Sequence, residues 1–356
     1  MNDARTSSDN AAQLPPELNA VIGQAVLFEG ADSVTLNDIR RKLEVYCFSC
    51  PLHEDDVAAR KSGYQGIVAP VTMTPLWSLA PYWRAGEPSP FRPGTPQRDG
   101  NTLGFFKMPF TKAVNAGSEW EYSSPLYLGD RLRASLKMAS VEAKRTRLGN
   151  GVFLHFETTY HKTSGELVAL NRNTLFNFDP NEPGGKTDPG GQAVGGTRAE
   201  QDRPDPAETS IDWNRQLWFD EVAIGSEIPA YELNLTYQRI VMGTAADRMY
   251  SGVHHNREEA RAAGLNDIIF NTRGIEAFLE ISLRRWMGLL GRIRRLGPFS
   301  MRSNIHPGDT MRSRWKVTGV EPSASGGLVQ LGFTVETERG SAVNGVASIE
   351  LPARTR

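Results

Sequence analysis

The chain has 356 residues, a formal net charge of −1 and 39% hydrophobic residues, a composition typical of a globular protein of about two domains of ~150 residues each. The near-zero charge gives no electrostatic case for binding nucleic acid or a membrane surface, and no apolar run approaches the ~20 residues that span a bilayer. Two cysteines, Cys47 and Cys50, are too few for a disulfide framework, so we expect a reducing, cytoplasmic location.

The first 25 residues are polar and lack the apolar segment of a secretion signal, so they are interpreted as a flexible tail. Thr35 is then a good helix N-cap, and apolar residues follow it at helical spacing from Ile39 to Cys47. A loop containing His53 and a short helix come next. The sequence therefore predicts that the first domain begins with helices.

The next apolar helix, near 72–83, is predicted to be short and irregular because it contains two prolines. A Pro- and Gly-rich loop occupies 84–101. From 119 to 178, apolar and polar residues alternate as they do in antiparallel strands. Residues 179–211 are rich in Gly, Pro and Asp, have no hydrophobic period, and predict a linker.

The chain beyond this linker repeats the part before it. Seven residue pairs of this block are identical at a spacing of 201 residues: Thr35 and Thr236, Ile39 and Ile240, His53 and His254, Ala59 and Ala260, Arg60 and Arg261, Gly63 and Gly264, Ile67 and Ile268. A second block, 124–142, recurs at 303–321 with a spacing of 179. We therefore predict two equivalent domains, 26–178 and 212–354. Helices followed by antiparallel strands in each domain favour an α+β fold, with a regular apolar helix near 273–290 in the second.

Four segments resemble the MaoC-like acyl-thioester hydratases and dehydratases. They are VTLNDIRRKLEVYCFSCPLHEDDVAARKSGYQGIVAP, LTYQRIVMGTAADRMYSGVHHNREEARAAGLNDII, PLYLGD and NIHPGD. The resemblance implies a tandem duplicated (double) hot dog fold, in which each half wraps a curved antiparallel sheet around a central helix. It also implies a hydro-lyase acting on a 2-enoyl or 3-hydroxyacyl thioester of CoA or acyl carrier protein, without a cofactor or metal. The two halves of one chain pair like a dimer, and the resemblance leaves open whether two such chains form a homodimer.

The family motif reads roughly Asp-x-Asn-Pro-x-His, and the chemistry of hydration explains why it contains an acidic residue and a histidine. A carboxylate and an imidazole that hold the same water molecule remove its proton as it attacks carbon 3, and they donate a proton to carbon 2. Backbone N–H groups at a helix start hold the charge that develops on the thioester oxygen. Alignment on His254 puts Met249 at the Asp and Ser251 at the Asn, and alignment on His53 puts Phe48 at the Asp. Neither half has the catalytic carboxylate.

The resemblance assigns the chemistry to the second half. His254 is the candidate acid/base, with Ser251 or Asp247 as its partner, and Thr272 with Asn271 as candidate oxyanion donors. The alternatives are a histidine kept for packing and, for Asp247, a solvated helix carboxylate. The candidate substrate-binding residues are His53, Cys50, Arg292, Arg294 and Arg295. The arginines suit a clamp on CoA phosphates or, alternatively, a solvated helix end.

Cys47, Cys50 and His53 have a metal-like spacing, but zinc needs a fourth ligand and the cysteines end a helix rather than begin one, so core packing is favoured. For the whole chain, the missing carboxylate favours a non-catalytic acyl-CoA-binding or partner protein, whereas the retained histidines favour an enzyme. A thioesterase of this fold needs a carboxylate on the central helix, where only Glu276 and Glu280 are acidic.

Overall fold

The computed structural model describes residues 16–91, 106–110, 112–146, 148–179 and 210–354. Most of the predicted tail and nearly all of the predicted linker lie outside these residues. Residues 16–25 are an exception, because they form a helix and the start of a strand instead of a tail. Leu18 of this helix is buried beside Met138 and Leu154 in a small apolar cluster, and this burial accounts for the difference.

Half one is defined here as residues 16–179. Its helices are α1 (Pro16–Val21), α2 (Leu36–Glu44), α3 (Pro51–Glu54), α4 (Asp56–Lys61) and a 3-10 helix (Val71–Ser78). Its strands are β1 (Ala25–Glu29), β2 (Lys112–Tyr122), β3 (Leu132–Thr146), β4 (Gly149–Lys162) and β5 (Leu167–Phe178).

Half two is defined as residues 210–354. Its helices are α5 (Tyr237–Asp247), α6 (Arg257–Ala262), α7 (Thr272–Met287) and two 3-10 turns, Phe219–Glu221 and Gly252–His254. Its strands are β6 (Glu227–Ile228), β7 (Glu232–Asn234), β8 (Arg292–Met301), β9 (Thr310–Ser323), β10 (Gly326–Thr337) and β11 (Gly340–Pro352). No helix of the described ranges is long and apolar enough to cross a membrane.

The strands form one sheet in the order β1-β3-β4-β5-β2-β8-β11-β10-β9-β6, with β7 also paired to β9. All the paired strands run antiparallel, and the two halves join where β2 pairs with β8. The almost wholly buried helix α7 provides the central helix of half two. In half one the equivalent position holds only the 3-10 helix, because Pro75 lies inside it. The α+β double hot dog prediction is confirmed, and the two halves differ in their central helices.

The duplication extends to the backbone conformation. Cys47 and Arg248, 201 residues apart, are the two non-glycine residues with positive φ in the described chain, at 47° and 54°. Each takes the left-handed turn with which its helix leads into the histidine loop. Cys47 therefore lies beyond the end of α2 and is exposed, although the helical spacing predicted it on the buried face.

The turns PLYLGD and NIHPGD are also equivalent. Asp130 accepts a hydrogen bond from the Tyr127 N–H, and Asp309 accepts one from the His306 N–H. Gly129 and Gly308 have φ of 89° and 91° at matching places, a conformation that suits glycine. The same local chemistry thus shapes both turns.

Candidate functional site

The backbone carbonyl of Ile269 contacts the ring of His254 and determines which ring nitrogen carries the proton. The left-handed Arg248 ends α5, and the 3-10 turn Gly252–His254 then places the histidine in a site where it is only 9% exposed. Its Nδ1 lies 2.9 Å from the carbonyl oxygen of Ile269. A carbonyl only accepts, so Nδ1 carries the proton and Nε2 carries the lone pair in the neutral ring. This is the arrangement that a general base requires.

The segment that accepts from His254 leads directly into α7. Asn271 is the N-cap of this helix, is fully buried, and accepts from the Gly274 N–H through its Oδ1 at 2.6 Å. Within the described residues, its Nδ2 has no partner. The backbone N–H groups of Thr272 and Arg273, called here the half-two amide pair, likewise meet no acceptor in the described chain. Such groups at a helix start attract an anion or a polarised oxygen.

Other predicted partners of His254 lie nearby in the chain, and one of them is strongly engaged. Asp247 is buried, and its Oδ1 accepts from the Lys42 Nζ of half one at 2.6 Å. Its backbone carbonyl accepts from the Arg273 guanidinium at 3.1 Å. Ser251 is half-buried, and its carbonyl accepts from the His254 N–H. The neighbouring His255 is exposed and contacts the Tyr250 carbonyl.

Half one repeats the histidine contact. His53 Nδ1 lies 2.6 Å from the carbonyl oxygen of Val68, again 15 residues further along the chain. Burial lowers the pKa of His53 from 6.5 to about 4, with the charge of Arg284 lowering it further. His53 also lines a cavity of about 640 Å³ beside Leu43 and Phe48, a volume within the range of small-molecule sites.

The cysteines of half one differ in their surroundings. Cys50 is buried, and its burial raises the thiol pKa to about 12, which keeps it protonated. Cys47 is exposed and lies 3.6 Å from the guanidinium of Arg239. No group of three or more metal-binding side chains occurs among the described residues.

The amide pair of half one is occupied, in contrast to that of half two. The N–H groups of Val71 and Thr72, called here the half-one amide pair, lie 201 residues before Thr272 and Arg273. They donate to the carboxylate of Glu280 in α7 at 2.9 and 3.0 Å. The Thr72 hydroxyl adds a third bond at 2.5 Å. No local pattern in the sequence indicates this contact, since Glu280 and Thr72 are 208 positions apart.

A second carboxylate of α7, Glu276, is buried against half one. Its Oε1 accepts from the Trp120 Nε1 at 2.8 Å and from the Ser118 hydroxyl at 3.0 Å. Burial raises its pKa from 4.5 to about 7, against the lowering effect of these bonds and of Arg273, and Asp247 adds a smaller rise. Glu276 and Glu280 were expected to matter only in a thioesterase, and both are hydrogen-bonded to half one.

The opposite pKa shifts of Glu276 and His53 predict a pH signature. Between pH 4.5 and 7 the unfolded chain loses the Glu276 proton while the folded chain keeps it, so the free energy of unfolding falls as pH rises. His53 acts in the other direction between pH 4 and 6.5, because only the unfolded chain binds its proton. Each effect is on the order of 3 kcal/mol, so they largely cancel in the wild type.

We therefore expect the free energy of unfolding of Glu276→Gln to rise with pH, because the effect of His53 is no longer cancelled. The urea midpoint of the variant should increase from pH 4.5 to 6.5, and its stability relative to the wild type should grow up to about pH 7. Urea unfolding of both proteins across this range measures the difference directly. Parallel stability curves for the two proteins would show that Glu276 does not titrate near pH 7.

The three arginines of the predicted phosphate clamp lie at or near the start of β8, not at a helix end. The chain turns at Gly288, whose φ is 72°, and α7 stops at Met287. Arg294 pairs with Glu350 and Arg295 pairs with Glu119. Arg292 stacks over Tyr64 of half one at 4.9 Å. Their role in binding phosphate stays a prediction.

Comparisons with known proteins agree with this architecture. The family model described as FAS1-like, dehydratase domain region matches residues 20–171. A probable enoyl-CoA hydratase alpha subunit of Thermomonospora curvata is 31% identical over 152 residues, which cover 42% of this chain and 47% of that protein. The chain thus matches about half the length of this curated relative.

Solved structures match over nearly the whole chain. A MaoC-like dehydratase covers 95% of this chain and 100% of its own, with a TM-score of 0.69 and 19% identity. A Mycobacterium tuberculosis protein described as having a double hotdog fold covers 94% and 98%, with a TM-score of 0.58 and 13% identity. The chain therefore has the fold of the MaoC-like dehydratases, as its sequence predicted.

Proposed function

We propose that the protein is a hydro-lyase that adds water to a 2-enoyl thioester or removes it from a 3-hydroxyacyl thioester. The observation that carries this proposal is the half-two amide pair, which meets no acceptor among the described residues and follows closely after the carbonyl that orients His254. The hydratase name of a 31% identical relative supports the same class. CoA or acyl carrier protein presents the acyl chain.

The reaction follows from these groups. The thioester oxygen accepts hydrogen bonds from the half-two amide pair, which stabilises the enolate-like charge that develops during addition. His254 Nε2 takes the proton of the attacking water and returns a proton to carbon 2. Asp247 is held by Lys42, so its carboxylate contributes charge near the site rather than a free base, and Ser251 is the remaining candidate for orienting the water.

Half one contributes binding rather than chemistry in this proposal. The cavity beside His53 has apolar walls that include Ile39, Leu43 and Phe48. Burial keeps His53 neutral at pH 7, so it suits contact with an uncharged part of the substrate. Cys50, protonated and buried, belongs to the same apolar cluster as Leu43 and Phe48.

A second candidate function is acyl-CoA binding without turnover. Met249 and Phe48 at the two carboxylate positions favour it, together with the engagement of Asp247 by Lys42. The deciding experiment follows the absorbance of the enoyl-thioester group with a panel of 2-enoyl-CoA substrates of increasing chain length. We expect a steady loss of absorbance with at least one of them. Tight binding of the whole panel with no absorbance change would establish the second function instead.

A further inference from the structure

The two amide pairs give the protein an internal comparison. Both begin the central helix of their half, and both follow the histidine by the same number of residues. The two pairs differ in the group that accepts their hydrogen bonds. The half-one amide pair holds a carboxylate, whereas the half-two amide pair has no acceptor among the described residues.

Glu280 contacts the half-one amide pair in the way that an oxyanion ligand does. Its two oxygens take one N–H each, and the Thr72 hydroxyl completes the contact. Glu280 is 4% exposed, so water does not compete for these donors. Charge-assisted bonds of this kind are roughly twice as strong as neutral ones.

We propose that Glu280 is a built-in anion that fills the oxyanion site of half one and so blocks a thioester oxygen there. The word oxyanion rests on the proposed function, because it treats this site as the equivalent of the half-two amide pair. The occupation of the half-one amide pair by a carboxylate stands apart from that function. Removal of the Glu280 side chain should leave a site that binds a small carboxylate, and formate is the smallest such probe.

The test removes the Glu280 carboxylate by mutation and then supplies a small carboxylate in solution. In Glu280→Ala the half-one amide pair and the Thr72 hydroxyl lose their acceptor, so sodium formate should raise the melting temperature with a saturable dependence on concentration. The matched control is Leu279→Ala, which opens a buried cavity at the next position of α7 without freeing any donor. Sodium chloride at equal ionic strength corrects for general salt effects.

We expect a response specific to formate in Glu280→Ala and none in Leu279→Ala or the wild type. An equal response in Leu279→Ala, or none in a folded Glu280→Ala, would overturn the proposal. If Glu280→Ala does not fold, hydrogen exchange of Glu280→Gln replaces it. A neutral amide holds the two N–H groups more weakly, so exchange at Val71 and Thr72 should be roughly tenfold faster, and unchanged rates would contradict the inference. Formate binding needs no thioester turnover, so a failure of the proposed function is seen separately.

Discussion

His254→Ala is expected to lower kcat for thioester hydration by about 10²–10⁴-fold, the usual loss on removing a general acid/base group. The physical reason is that the contact with the Ile269 carbonyl puts the ring proton on Nδ1, so Nε2 carries the lone pair that accepts the proton of water in the proposed reaction. Steady-state kinetics on the best enoyl-CoA substrate measure the change. Because Asp247 is bound by Lys42, we expect no other carboxylate to substitute for the histidine.

Two other histidines serve as controls for this measurement. His255→Ala should leave kcat and KM close to wild type, since His255 is exposed and contacts only the neighbouring backbone. His53→Ala should raise KM more than it lowers kcat, because His53 lines the cavity of half one. Wild-type turnover by His254→Ala, or a loss of kcat confined to His53→Ala, would refute the assignment of chemistry to half two.

Lys42→Met is expected to reduce the free energy of unfolding by about 3–5 kcal/mol, the usual cost of removing one partner of a buried ion pair. Lys42 of α2 and Asp247 of α5 are 2% and 5% exposed and belong to different halves. Asp247 Oδ2 already lacks a partner among the described residues, so the loss of Lys42 leaves a buried charge without compensation. Urea unfolding of the full chain measures the effect.

The exposed pair Arg294–Glu350 provides the matched control. Its side chains are more than a third exposed, so Arg294→Met should cost at most about 1 kcal/mol. The double variant Lys42→Met with Asp247→Asn should recover part of the loss, because it removes the buried charge as well as its partner. A Lys42→Met protein as stable as the wild type would show that the pair does not hold the halves together.

Local features of this fold were readable in the sequence because short-range chemistry determines them. Thr35 and Thr236 accept from the Asp38 and Arg239 N–H groups as N-caps. The repeated spacing of 201 residues identified both histidine loops, and both form the same contact with a carbonyl 15 residues away. The irregular helix of half one was predicted from its prolines and is a 3-10 helix.

Features that depend on distant parts of the chain were not readable in this way. Lys42 and Asp247 are 205 positions apart, and Glu280 and Val71 are 209 apart. Each of these residues looks like an ordinary helix or loop residue in its own segment. The solvated alternative for Asp247 is wrong, because the residue is buried beside Lys42 of the other half. The strand order joining β2 to β8 likewise follows from how the halves pair.

The central claim is that the N–H groups at the start of α7 hold the thioester oxygen, and Thr272→Pro tests it most directly. Thr272 is the first residue of α7, a position where proline fits the helix. The substitution removes the backbone N–H together with the threonine hydroxyl. The preceding Asn271 has φ −76° and ψ 156°, an extended conformation that proline tolerates in its neighbour.

Thr272→Val is the matched control, because it keeps the N–H and loses only the hydroxyl that accepts from Asn115. The measurement is kcat for hydration of the best enoyl-CoA substrate by both variants and the wild type. We expect a loss of roughly 10²–10³-fold in Thr272→Pro and near wild-type turnover in Thr272→Val. Equal turnover by a folded Thr272→Pro and by Thr272→Val would contradict the account.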